Sequence, residues 1–131
     1  MCKPDAVERG LVGEIVARLE RKGLTLVAAD LRSVDRVLAE RHYDEHRDKP
    51  FFDDLVEFVT RSPAFPMVVE GPDENTYLLV RKLVGATKVE DAEPGTIRGD
   101  FATVTTENLV HASDGHESAA REIALWFPGL G

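Results

Sequence analysis

Leu11-Val12-Gly13-Glu14-Ile15-Val16-Ala17-Arg18-Leu19-Glu20-Arg21-Lys22-Gly23 runs directly into Leu24-Thr25-Leu26-Val27-Ala28-Ala29-Asp30-Leu31. Leu11, Val12, Ile15, Val16 and Leu19 recur at helical spacing, and Glu14, Arg18 and Arg21 occupy other faces. Gly23 is a C-terminal stop for that helix, because glycine tolerates the left-handed turn a helix end uses. Leu24 to Leu31, rich in Leu, Val and Ala, predicts a buried strand. A helix passing to a strand across one glycine needs a sheet on which to lay its apolar stripe.

The same alternation continues downstream. Ser33 is placed to cap a helix carrying Val37 and Leu38 toward Tyr43. Pro50 opens another, with Phe51, Leu55, Phe58 and Val59 apolar, and Ser62-Pro63 breaks it. Met67-Val68-Val69 predicts a short strand ended by Glu70-Gly71, with Pro66 at its start. Asp73 is placed to cap a helix bearing Tyr77, Leu78, Val80 and Leu83. Ala86 to Asn108 reads as a long irregular stretch, a length usually reserved for function in a compact domain. A last helix is predicted from about Glu117 to Phe127. Pattern alone therefore reaches a sheet covered by helices. It does not separate a ferredoxin-like fold from its relatives.

At 131 residues the chain suits one domain, 1–131, with a single core. No apolar run approaches the roughly 20 residues of a membrane span, and Met1-Cys2-Lys3-Pro4-Asp5 is neither a signal nor a transit peptide. One cysteine, Cys2, forms no internal disulfide, and zinc-type spacing is absent. The expected compartment is cytoplasmic. A net charge of −8 argues against holding nucleic acid by an overall positive field, so no specific nucleic acid is expected. It leaves room for a nucleotide, since a phosphate site needs only a few basic groups aimed at one spot.

Asn108-Leu109-Val110-His111-Ala112-Ser113-Asp114 resembles the active-site signature of nucleoside diphosphate kinases. Pro94-Gly95-Thr96-Ile97-Arg98-Gly99-Asp100-Phe101 matches a second family block. So do Lys3-Pro4-Asp5, Arg9-Gly10-Leu11-Val12-Gly13-Glu14, His42-Tyr43, Lys49-Pro50-Phe51-Phe52 and Glu117-Ser118-Ala119 with Glu122-Ile123. The blocks keep register from Lys3 to Trp126-Phe127-Pro128, and several in order are far more specific than any one.

The resemblance implies an α+β, ferredoxin-like (βαββαβ) antiparallel sheet covered by helices. It implies transfer of the terminal phosphate of a nucleoside triphosphate to a nucleoside diphosphate, with Mg²⁺, through a phosphohistidine and with low base selectivity. Its partners would be ATP and other nucleoside tri- and diphosphates, and copies of itself in a tetramer or hexamer. The alternative is an impaired family member acting as a nucleotide-binding or oligomerisation module.

Residue by residue, the resemblance implies His111 as nucleophile and Glu122 as the carboxylate that orients it. An imidazole, largely neutral at pH 7, attacks without first losing a proton. Arg81, Thr87 and Arg98 would hold phosphate oxygens, two with planar guanidinium forks and one with a hydroxyl. Tyr43 would stand on the phosphate side, and Asp114 near the metal, through water. Lys3 and Asn108 would bond the ribose hydroxyls, and the base would stack on Phe51, with Thr105 as a second contact. Taken without the blocks, His111, Glu122 and Phe51 read as a structural histidine, a solvated acid and a core aromatic.

Three positions depart mildly from the family pattern: Ala112 for a common glycine, Ser62 for a glycine, and Val89 for a common proline. The main departure lies earlier. An apolar first strand normally precedes Lys-Pro-Asp, and here only Met1 and Cys2 stand there. The chain thus reads as a short bacterial-type form truncated at its N-terminus. Three or four lost strand side chains would each forfeit roughly 1.5–3 kcal/mol, against a typical domain stability of about 5–15 kcal/mol.

Overall fold

In a computed structural model describing residues 1–130, seven helices and two strands follow the order α1 (Pro4–Glu8), α2 (Val12–Arg21), β1 (Thr25–Ala29), α3 (Arg36–His42), α4 (Phe52–Thr60), β2 (Met67–Glu70), α5 (Thr76–Val84), α6 (Ile97–Phe101) and α7 (His116–Trp126). β1 and β2 pair antiparallel, from Thr25 opposite Glu70 to Ala29 opposite Met67, with an irregularity between Leu26 and Ala28. The sheet extends further as bridges. Cys2 pairs antiparallel with Phe65 on one side and with Val110 on the other. The spatial order is therefore β1, β2, Cys2, Val110. This is the ferredoxin-like order, with Cys2 at the place of the first strand and Val110 at that of the last.

Two apolar clusters sandwich this sheet. Cys2, Ile15, Leu19, Val84, Ile97 and Leu109 form one beneath α2 and α5, while Ala39, Tyr43, Phe52, Val56, Val59 and Trp126 form the other beneath α3, α4 and α7. The period of α2 accounts for its place, since Ile15 and Leu19 lie on one stripe and are its buried residues.

Several local expectations need correction. β1 is not a buried strand: Thr25, Val27 and Ala29 alternate outward, and Val27 is 45% exposed, because β1 has a strand neighbour on one side only. The cap of α3 is Asp35, which accepts the Leu38 N–H at 2.8 Å, rather than Ser33. α4 begins at Phe52 with Phe51 in the cap position, so Pro50 precedes the helix rather than opening it. Asp73 shapes the turn before α5, accepting from the Asn75 N–H at 2.8 Å, and Asn75 takes the cap position. The stretch from Ala86 to Asn108 is not wholly irregular. It contains α6, capped by Thr96, whose hydroxyl accepts the Gly99 N–H at 2.9 Å. A Cβ on Gly99 would lie 1.9 Å from the Glu93 carbonyl oxygen, so only glycine closes the turn that carries Arg98.

Candidate active site

The segment Asn108–His111 is held by the N-terminal residues. Leu109 has φ 76°, a left-handed conformation that a leucine rarely adopts, and it is fully buried. Its N–H donates to Asp5 Oδ2 at 3.0 Å, and its carbonyl accepts the Lys3 N–H at 2.9 Å. This kink turns Asn108 to one side and leaves Val110 and His111 in line with Met1-Cys2. Asp5 is thus a positioning residue that the sequence reading missed. A buried carboxylate two residues after Lys3, beside a helix-opening proline, passes for a solvated first-turn acid.

His111 is partly exposed, and its Nε2 lies 2.8 Å from Glu122 Oε1. Ser113 Oγ donates to the same oxygen at 2.8 Å. Burial favours the neutral carboxyl, but these two bonds outweigh it and hold Glu122 below the ordinary carboxylate range. An ionised carboxylate only accepts, so His111 Nε2 carries the hydrogen and Nδ1 keeps the lone pair. Burial pushes the His111 pKa down, and Glu122 pulls it up less strongly, so the ring is neutral at pH 7.

A second imidazole stands against the first. The His42 and His111 ring centroids are 4.6 Å apart in an edge-on arrangement, and Trp126 Nε1 donates to His42 Nδ1 at 3.0 Å. Neither His42 nor Trp126 was expected to take part, though a buried tryptophan N–H always raises the question of its acceptor. His42, His111 and Glu122 form one compact N/N/O group. It does not suit a cation, because the Trp126 bond puts the hydrogen of neutral His42 on Nε2, which has no protein partner.

Burial, then His111, bring the His42 pKa from 6.5 to about 3. Its neutral form is favoured by folding, so its contribution is complete above the unfolded pKa of about 6.5 and is lost as the pH falls. The expected cost is about 2 kcal/mol between pH 6.5 and 5. Denaturant titrations across this window should show that slope, and a His42→Asn variant should reduce it to the smaller part that His111 contributes.

Arg98 is buried, and its three guanidinium nitrogens donate to backbone carbonyls: Nε to Asn108 at 3.2 Å, Nη1 to Gly85 at 3.0 Å and Nη2 to Val110 at 2.5 Å. Two of its five N–H groups remain free of these bonds. Burial, then the neighbouring Arg81 charge, lower its pKa to about 10, so it stays cationic at pH 7. Arg81 is exposed and donates from Nη1 to the Ala112 carbonyl at 3.1 Å. Lys3 Nζ donates to Asn108 Oδ1 at 2.5 Å, and Asn108 Nδ2 donates to the Thr87 carbonyl at 3.1 Å. Burial brings the Lys3 pKa down to about 8.

Lys3, Thr87, Arg98 and Asn108 are therefore linked by hydrogen bonds, and Arg81 joins them through the strand that carries His111. The other expected site residues stand differently. Phe51, 45% exposed, sits at the start of α4, with its ring 5.6 Å from that of His46. Tyr43 is buried in the second cluster with its ring against His42, and burial raises its pKa to about 12. The Thr105 hydroxyl accepts the Val89 N–H at 3.1 Å. Asp114 is exposed and accepts from Ser118 Oγ at 2.8 Å, one position ahead of Gly115, the cap of α7.

A neutral imidazole with one nitrogen anchored and the other free, on a segment whose carbonyls are held by two guanidinium groups, has the chemistry of a nucleophile toward an anionic group. The family model for nucleoside diphosphate kinase matches residues 1–130. The nucleoside diphosphate kinase of Caldanaerobacter subterraneus subsp. tengcongensis is 60% identical over 128 residues, covering 98% of this chain and 91% of the relative. That of Mycolicibacterium smegmatis is 58% identical over 130 residues, covering 98% and 92%. Among solved structures, a nucleoside diphosphate kinase family protein from Babesia bovis superposes with TM-score 0.93 at 49% identity, covering 98% of this chain and 85% of its own. The Halobacterium salinarum enzyme, in complex with CDP, superposes with TM-score 0.90 at 52% identity, covering 96% and 83%. The chain belongs to the nucleoside diphosphate kinase family. Its reaction is transfer of the terminal phosphate from a nucleoside triphosphate to a nucleoside diphosphate.

Proposed function

We propose that His111 carries the phosphate between the two nucleotides. Its Nδ1 lone pair forms a bond to the terminal phosphorus as the bond from phosphorus to the bridging oxygen breaks, and the nucleoside diphosphate leaves. A second diphosphate then attacks the same phosphorus, and the nitrogen recovers its lone pair. The observation that carries this is the 2.8 Å bond from Nε2–H to the Glu122 carboxylate. It fixes which nitrogen is free and offsets the positive charge the ring acquires when Nδ1 is phosphorylated.

Arg98 and Arg81 neutralise the oxygens of the transferred group, with the Thr87 hydroxyl as a further donor and Tyr43 on the phosphate side. Lys3 and Asn108, already bonded to each other, present a donor and an amide to the ribose hydroxyls. The exposed Phe51 ring takes the base. Mg²⁺ suits the exposed carboxylate of Asp114, a hard oxygen donor whose Oδ1 is the atom engaged by Ser118. Bound there through water and the nucleotide phosphates, the ion would neutralise phosphate charge. The compartment proposed is the cytoplasm; no helix among the described residues is long and apolar enough to cross a membrane. Exposed Val27 and Leu31, on and beside the open edge of β1, support assembly into a tetramer or hexamer.

Incubation with γ-labelled ATP and Mg²⁺, followed by quenching, tests the reading. Acid-labile, base-stable label on His111 that GDP discharges is expected; a folded sample without label would reject it. Stacking is worth roughly 1–3 kcal/mol per base, so Phe51→Ala should raise KM for all nucleotides about tenfold or more, with little change in relative preference among bases. Initial rates across purine and pyrimidine diphosphates measure both.

A further inference from the structure

The loop between α5 and α6 is tied to the chain beyond it by three hydrogen bonds, one at every second residue. Arg98 Nη1 donates to the Gly85 carbonyl at 3.0 Å, and Asn108 Nδ2 donates to the Thr87 carbonyl at 3.1 Å. The third runs the other way: the Val89 N–H donates to Thr105 Oγ1 at 3.1 Å. Arg98 and Asn108 are side chains that the nucleotide also calls on. Thr105 has two unlike ends. It is half-buried at the corner of a tight turn, which the Glu107 N–H closes on the Val104 carbonyl at 3.0 Å, and Asn108 follows that turn directly. With its hydroxyl engaged by the loop, Thr105 still has a methyl to offer the base.

The donor has its own physical reason. Val89 opens a short 3₁₀ turn, Val89–Asp91, and the first N–H groups of a helical turn find no partner within it. Lys88, just before, is extended at φ −76° and ψ 122°, the conformation that a following proline demands. A proline would fit the first position of the turn, but it has no N–H to give. Val89 is one of the three departures from the family pattern, at a position where proline is common. Here the fixed φ of a proline is absent, and a hydrogen bond to Thr105 restrains the loop in its place.

We propose that Thr105 is a positioning residue for phosphate transfer: its hydroxyl, by accepting the Val89 N–H, holds the loop so that the Thr87 hydroxyl meets the transferred phosphate. This role rests on the reading of Thr87 as a phosphate donor and of the Thr105 methyl as a base contact. Thr87 is exposed and anchored through its carbonyl, so the direction of its side chain depends on the bonds to either side of it. At Gly85 the chain is also pressed against Thr96, whose Oγ1 would lie 2.5 Å from a Cβ there. At Val89 the tie is the bond to Thr105. One side chain thus joins the base side of the cleft to its phosphate side.

The test is a double-mutant cycle over Thr105→Val and Val89→Pro, read as KM and as the rate of label transfer to His111 from saturating γ-labelled ATP with Mg²⁺. Thr105→Val keeps the shape and loses the acceptor. It should slow label transfer about three- to tenfold and speed hydrogen exchange at the Val89 amide. In a chain already carrying Val89→Pro there is no N–H to strand, so the same substitution should cost less than about twofold. Thr105→Ser keeps the bond and loses the methyl, so it should raise KM and leave the rate of label transfer unchanged. Equal losses from Thr105→Val in both backgrounds overturn the proposal, as does a Thr105→Ser chain as slow as Thr105→Val. So does a Val89 amide that exchanges no more slowly in the parent chain than in Thr105→Val, a result read without catalysis. Thr87→Ala separates the two readings. If it slows label transfer and Thr105→Val does not, the positioning role alone falls. If Thr87→Ala keeps the full rate, the phosphate role of Thr87 falls, and this assignment with it.

Discussion

Replacing His111 with glutamine should abolish the labelled intermediate and lower nucleotide exchange by about 10⁴-fold or more, because on the proposed mechanism the reaction then lacks the atom that carries the phosphate. The fold should survive. His111 is partly exposed, its side chain bonds Glu122 alone, and glutamine can still donate an amide hydrogen to that carboxylate. Comparable melting temperatures with loss of label would place the effect on chemistry. Undiminished exchange by the glutamine variant would remove the proposed mechanism altogether.

The pH behaviour of the same histidine gives an independent handle. Burial disfavours the imidazolium and lowers the His111 pKa below 6.5 despite the Glu122 carboxylate. The neutral, nucleophilic form therefore persists below pH 6.5, and the labelling rate should hold there before it falls. Removing the carboxylate by Glu122→Gln takes away the group that raises this pKa, so the acid limb moves further down while the rate at neutral pH drops. A merely structural glutamate would change the rate without moving the limb.

What the sequence made legible, and what it did not, divides by the range of the interactions. The stripe of Ile15 and Leu19, the stop at Gly23 and the strand at Met67 are local patterns, and the fold follows them. The five residues of α6 are too few to show a helical period, and only Thr96 at the cap and the forced Gly99 betray it. β1 was misjudged because composition reports β tendency without saying whether a strand is central or at an edge. At the site, the family blocks pointed to Arg98, but not to its three carbonyl partners. Asp5 holding the strained Leu109 across 104 positions, and Trp126 turning His42 across 84, are contacts that no local pattern contains.

Those carbonyl partners make Arg98 the second position of large expected effect. Arg98→Ala leaves the carbonyls of Gly85, Asn108 and Val110 without their donor in a buried setting, at about 1–3 kcal/mol for each that water does not reach. On the proposed function it also removes a cation facing the transferred phosphate, which should lower kcat by about 10²–10³-fold. Arg98→Lys should recover little of either, since one ammonium on a flexible stem cannot serve three carbonyls and a phosphate at once. Arg81 separates the two losses. It is exposed and makes one backbone bond, to Ala112, so Arg81→Ala should lower kcat by a similar factor while the urea midpoint barely moves. If Arg98→Ala lost stability but kept its kcat, the guanidinium would be a brace for the His111 strand and the phosphate charge would have to be met by Arg81 and the metal alone.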